Sequence, residues 1–102
     1  VRIALDYDNT FTADPKAWTE FIHLMQREGH VVYCVTMRYP PEHPKFGGET
    51  RDVQRALGHL VDGLFCTGRQ AKEKFMLERG IKIDVWVDDT PGWILQDAAD
   101  VE

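Results

Sequence analysis

The chain is poor in cysteine, with only Cys34 and Cys66 among its 102 residues. Two thiols do not make a disulfide framework, and a zinc site needs more ligands. Each lies inside an apolar run, where cysteine is expected to behave as a small hydrophobe. Long hydrophobic runs are also missing. No stretch approaches the ~20 apolar residues that span a bilayer, and the N-terminus lacks a signal-peptide pattern. No membrane partner is expected, and a cytoplasmic location is the default. Positive charge is scarce too. Twelve Lys plus Arg stand against seventeen Asp plus Glu, a formal net charge of −5. A field of that sign argues against tight, nonspecific nucleic-acid binding, though not against a local basic patch. Internal repeats and low-complexity segments are absent, which removes solenoid and linker architectures.

What remains is enough for one core and too little for two, so a single domain over residues 1–102 is expected. Short apolar runs at 1–5, 31–35, 64–66 and 85–87 read as buried strands. Segments with helical spacing separate them. Trp18, Phe21, Ile22 and Met25 share one helix face, with Asp14 as cap, Pro15 in the first turn and Gly29 at the exit. A second helix is expected from about Glu49 to Leu60, with Val53, Leu57 and Leu60 inward. A third is expected from about Gln70 to Arg79, with Ala71, Phe75 and Met76 inward and Gly80 as its stop. A fourth begins at Thr90-Pro91 and carries Ile94, Ala98 and Val101 inward. Strand and helix alternate throughout. That order predicts an α/β fold of three layers, Rossmann-like, with a parallel sheet of about four strands and helices on both faces. Ligands of such sheets bind beyond the carboxyl ends of the strands.

Those ends carry the polar chemistry. The first strand runs into Asp6-Tyr7-Asp8-Asn9-Thr10, the second into Thr36-Met37-Arg38, the third into Thr67-Gly68-Arg69, and the fourth into Asp88-Asp89-Thr90. Lys72 and Lys74 follow the third strand. Asp6, Asp8 and Asp88 crowded together would repel, and burying them unneutralised costs several kcal/mol. A hard divalent cation with oxygen ligands, Mg²⁺, resolves the conflict and attracts a phosphate. Thr36 and Lys72 can then hold the remaining phosphate oxygens.

At these residues the chain resembles a known family. Ile3-Ala4-Leu5-Asp6-Tyr7-Asp8-Asn9-Thr10 is similar to the signature of the haloacid dehalogenase superfamily, an apolar strand followed by Asp-x-Asp-x-Thr. Thr36 resembles its second motif, a lysine ahead of the last strand its third, and Val85-Trp86-Val87-Asp88-Asp89 its acidic fourth. The four span residues 1–89 in the family order. The resemblance implies a magnesium-dependent phosphatase. Asp6 would be the nucleophile that forms an aspartyl-phosphate, and Asp8 the general acid and base. Thr36 and Lys72 would bind the phosphoryl group. Mg²⁺ would be held by the Asp6 carboxylate, the Asp8 backbone carbonyl and Asp88. Lys72 is preferred to Lys74 because it stands nearer the strand end. Asp89, Thr10 and Arg38 are secondary candidates: Asp89 for a metal-bound water, Thr10 for the turn, Arg38 for a phosphate-bearing partner.

The chain departs from the family in one respect. No cap domain fits after the first motif or the second strand, and residues 37–48 form only a Pro- and Gly-rich loop. A capless, open site suits a bulky substrate, such as a phosphorylated nucleic-acid end or protein, or closure by a second copy of the chain; nucleotide, nucleic-acid-end and protein phosphates are the expected substrates. Two other readings stand beside the phosphatase. A small metal-dependent nuclease would pool the same carboxylates, and a silent binding or regulatory module would keep the fold without turnover. A response-regulator receiver is excluded, because its phosphate acceptor ends the third strand, where this chain has Phe65-Cys66-Thr67.

Overall fold

Alternation along the short strands decides how the layers stack. Ile3 and Leu5 of β1 (Arg2–Leu5) share one face with Val32 and Cys34 of β2 (Val31–Thr36), while Ala4 and Val35 turn to the other. The register pairs Ile3 with Val32 and Leu5 with Cys34, so the apolar side chains of each face lie side by side. β3 (Gly63–Cys66) pairs with β2, and β4 (Val85–Val87) pairs with β1. The computed structural model describes residues 1–99. Its sheet has four parallel strands in the order β3-β2-β1-β4.

Helices cover both faces. α1 (Pro15–Arg27) starts where the Asp14 carboxylate accepts the Ala17 N–H at 3.2 Å and ends before Gly29 at φ 88°. Its Ile22 is fully buried against Val32 and Leu5 in the first core, with Trp18, Phe21 and Met25 beside it. Burying one such side chain stabilises the fold by ~1.5–3 kcal/mol. α2 (Arg51–Leu57) packs Val53 and Leu57 into the same core. α3 (Lys72–Glu78) covers the opposite face, setting Phe75 and Met76 against Ala4, Val35 and Ile83. With α1 and α2 on one face and α3 on the other, the architecture is a three-layer α/β fold.

Three helices are shorter than their sequence spacing predicts. Residues Gly47–Thr50 form a 3-10 turn, so the second helix begins at Arg51, and Leu60 packs from the turn beyond Gly58. The third begins at Lys72, not Gln70, because Ala71 holds φ −52° and ψ 127°, an extended conformation outside the helical region, with its N–H given to Asp97. The fourth, α4, is only Gly92–Leu95, and Gln96 turns extended. The following residues run along the β3–α3 connection. Ala98 donates its N–H to the Arg69 carbonyl at 2.8 Å, and Asp97 accepts the Ala71 N–H at 2.7 Å. These bonds to a distant loop outcompete further helical turns. Ala98 is half-buried but not helical, and Val101 lies outside the described residues. Among the described residues, no helix is long and apolar enough to cross a membrane.

Candidate active site

The chain passes from β1 by α1 to β2 on one side, while β4 arrives on the other side of β1 from beneath the opposite face. β1 and β4 therefore flank the switch point of the sheet, where a crevice opens beyond the strand ends. Asp6 follows β1 and Asp88 follows β4, and the Asp6 N–H still bonds the Val87 carbonyl at 2.9 Å. Both carboxylates are thus set by the last rungs of one parallel ladder.

Lys72, the first residue of α3, is only 1% exposed and inserts between them. Its Nζ lies 2.9 Å from Asp6 Oδ1 and 2.5 Å from Asp88 Oδ2. Thr10 links the next carboxylate: its Oγ1 is 3.4 Å from Asp6 Oδ2 and 3.3 Å from Asp89 Oδ1, and it accepts the Asp89 N–H at 3.2 Å. One hydroxyl proton serves only one of these oxygens at a time. Burial pushes the Asp6 carboxyl up to about 7 against the pull of Lys72, with a hydrogen bond to Asp89 and the charge of Asp88 adding to the rise. The exposed Asp89 is held below its ordinary value by that same bond to Asp6.

Asp6, Asp88 and Asp89 each bring an oxygen within 4.8 Å of the others, graded from buried to exposed. Three carboxylates face one ammonium here. A hard divalent cation fits that donor set of carboxylate oxygens and the remaining charge.

Asp8 turns elsewhere. Its two oxygens take a forked pair of bonds from Arg38, Nε at 3.0 Å and a terminal nitrogen at 2.8 Å, while the other terminal nitrogen reaches the Glu49 carbonyl at 2.6 Å. Thr36 is fully buried, and its Oγ1 accepts the Arg38 N–H at 3.3 Å. Asp6, Asp8, Thr36, Arg38 and Asp89 all line one recess of about 350 Å³. Lys72 does not line it; its ammonium is given to Asp6 and Asp88 from below. Lys74 is exposed on the helix.

The expected residues thus form two adjoining groups, of which Asp6, Asp89, Asp8, Arg38 and Thr36 line the recess while Thr10, Lys72 and Asp88 stand behind it. Asp6, Asp88, Asp89, Thr10 and Lys72 meet at the switch point, and Asp8, Arg38 and Thr36 meet beside it. Asn9 takes φ 61° and donates its N–H to Thr12 Oγ1, which shapes the turn that carries Asp8. Arg69 and Glu49 on the recess wall were not expected as site residues; the only sequence signal for Arg69 was its place after Gly68 at a strand end. The cysteines behave as expected of buried thiols. Burial pushes Cys66 up to about 11 and raises Cys34 well beyond the usual thiol range, so neither is a nucleophile at neutral pH.

Comparison with protein-family models, with curated proteins and with solved structures gives no match for this chain.

Proposed function

We propose that the chain is a magnesium-dependent phosphomonoester hydrolase of the haloacid dehalogenase type, acting through an aspartyl-phosphate on Asp6. The observation that carries this reading is the buried Lys72 ammonium between Asp6 and Asp88 at two adjacent strand ends. It fixes the Asp6 carboxylate at the mouth of the crevice with Oδ1 neutralised and Oδ2 toward Thr10. A carboxylate so held approaches a phosphoryl group without the full repulsion of two anions.

Asp6 attacks phosphorus, and the bond from phosphorus to the leaving oxygen breaks. Asp8 hands a proton to that oxygen, which departs as an alcohol. Asp8 then takes a proton from water as the water oxygen attacks phosphorus, and the bond to Asp6 breaks to release inorganic phosphate. In the free site Arg38 holds both Asp8 oxygens in forked bonds, which favours the carboxylate, so Asp8 must turn from Arg38 and take a proton from solvent before it serves as the acid. Mg²⁺, held by Asp6, Asp88, the Asp8 backbone carbonyl and Asp89, would supply charge neutralisation for the phosphate oxygens. The Thr36 hydroxyl stands at the recess wall for a phosphate oxygen, and Lys72 shields Asp6.

The test is phosphate release from an aryl phosphate with Mg²⁺ or with chelator, comparing wild type and Asp6→Asn. Release that needs the metal and disappears in the variant is the expected result. Undiminished turnover by Asp6→Asn would overturn the mechanism.

A further inference from the structure

The phosphate end of the recess accounts for its carboxylates, but not for its rings. Tyr39 and Phe46 stand on the wall with centroids 5.3 Å apart and planes at 23°, and Trp93 is on the wall formed by α4. Trp93 is 36% exposed, so part of its ring is open to a ligand. The Arg69 guanidinium lies 5.5 Å from the Trp93 ring centroid, and its Nε is tied to the Ala99 carbonyl at 2.8 Å. Arg69 has φ 76°, a conformation that costs a non-glycine residue free energy and that places it beside Trp93.

We propose that the recess selects a nucleoside monophosphate, the phosphate at Asp6 and the base against the Trp93 ring. This rests on the phosphatase reading above and adds the substrate class. Flat aromatic surface rewards a flat aromatic ligand, since any base has a π-face to stack. A sugar phosphate offers hydroxyls and C–H edges but no π-face, so it gains less from flat rings. Asn9 and Glu49 also line the wall and carry an amide and a carboxylate, groups that can bond the edge of a base.

Volume and charge choose the free mononucleotide over a strand end. The recess holds about 350 Å³, at the small end of the ~300–1,000 Å³ typical of ligand pockets. A polynucleotide would need a track of free cations, but Arg38 is committed to Asp8 and the Glu49 carbonyl. The chain as a whole carries −5, which repels a polyanion.

The experiment compares kcat/KM with Mg²⁺ for uridine monophosphate, ribose phosphate and a terminally phosphorylated oligothymidylate. Stacking on one aromatic side chain favours the mononucleotide over ribose phosphate by about tenfold or more. Trp93→Ala should bring that ratio to within about twofold of one, and Trp93→Phe should restore most of it. Equal rates for the two small substrates in wild type, with aryl phosphate still hydrolysed, would overturn the inference and leave the phosphatase standing. A preference for the oligonucleotide would overturn the choice of a free mononucleotide. If wild type hydrolyses nothing, the phosphatase reading fails, and calorimetry of uridine monophosphate on the same protein decides the rest. Binding weakened about tenfold by Trp93→Ala would support a nucleotide site; no binding, or binding indifferent to Trp93, would overturn it.

Discussion

Replacing Lys72 by Met tests whether the site is built on one buried cation. Methionine keeps most of the apolar stem of lysine and removes the charge, so the packing of α3 on the sheet changes little. What changes is the company of Asp6 and Asp88, whose side chains are 9% and 2% exposed and which lose the partner at 2.9 and 2.5 Å. Removing one member of a buried pair costs ~3–5 kcal/mol, because the other charge stays buried without compensation. A domain of this size is stable by about 5–15 kcal/mol in total, so the loss is a large share. With a urea m-value of ~2 kcal/mol per molar, the midpoint falls by about 2 M.

The loss also depends on pH in a definite direction. Asp6 already binds its proton more tightly in the folded state, at about 7 against 3.8. Without Lys72, the main influence lowering it, that value rises further. A carboxyl raised in the folded state stabilises less as pH climbs from its unfolded value toward its folded one. The gap between variant and wild type is therefore wide at about pH 8 and narrower at about pH 5. Urea titrations in chelator at both values measure it, and adding Asp6→Asn to Lys72→Met should recover part of the loss. A midpoint shift below about 0.5 M, or one equal at the two pH values, would refute the buried-cation argument.

Two further predictions concern the wild-type chain and its loop. In chelator, Asp6 makes stability decline as pH rises from about 4 to about 7 and then level off, since the folded state retains a proton that the unfolded state releases; Asp6→Asn should remove that part of the slope, and identical slopes in thermal melts would count against the burial of the charge. At Gly47, an added Cβ would meet the Pro41 carbonyl oxygen at 2.2 Å, whereas at Gly48 it meets nothing within 4 Å. Gly47→Ala should cost about 1–3 kcal/mol by overpacking the loop and Gly48→Ala far less, as compared by urea midpoints; equal effects would mean that residues 37–50 do not hold this closed form.

The sequence makes the strands legible and the later helices less so, for one physical reason. Strands at 1–5, 31–35, 64–66 and 85–87 are expected from apolar runs, and the observed strands fall at Arg2–Leu5, Val31–Thr36, Gly63–Cys66 and Val85–Val87. Burial on both faces of a parallel sheet leaves a continuous apolar run, which is a local signal. Helix α1 is equally local, because Asp14, Pro15 and Gly29 punctuate it at both ends. The start of α3 and the end of α4 are not local. They are decided by bonds between residues about thirty positions apart, Arg69 to Ala98 and Ala71 to Asp97, and periodicity carries no trace of such pairings.

The same division runs through the site. Asp6, Asp88 and Lys72 could be named because charge at the end of an apolar strand, or at the start of the helix behind it, has few bland explanations. Their convergence follows from topology alone: β4 returns beside β1, so the two strand ends must meet. Asp8 and Arg38 could be named as well, but not paired, since the pair depends on how the β2–α2 loop folds back until Arg38 reaches the Glu49 carbonyl. That folding turns on Thr50, whose buried hydroxyl donates to the Tyr39 carbonyl and draws the loop closed. The wall of rings is set by the same closure, with Tyr39 and Phe46 stacked in that loop and Trp93 on the wall formed by α4. The features proposed to bind phosphate therefore belong to the sheet and its topology. Those proposed to choose what carries the phosphate belong to two loops, and loops tolerate change more readily than strands. If both proposals hold, substitution in residues 37–50 and at Trp93 should alter which phosphomonoester is used before it alters whether one is hydrolysed.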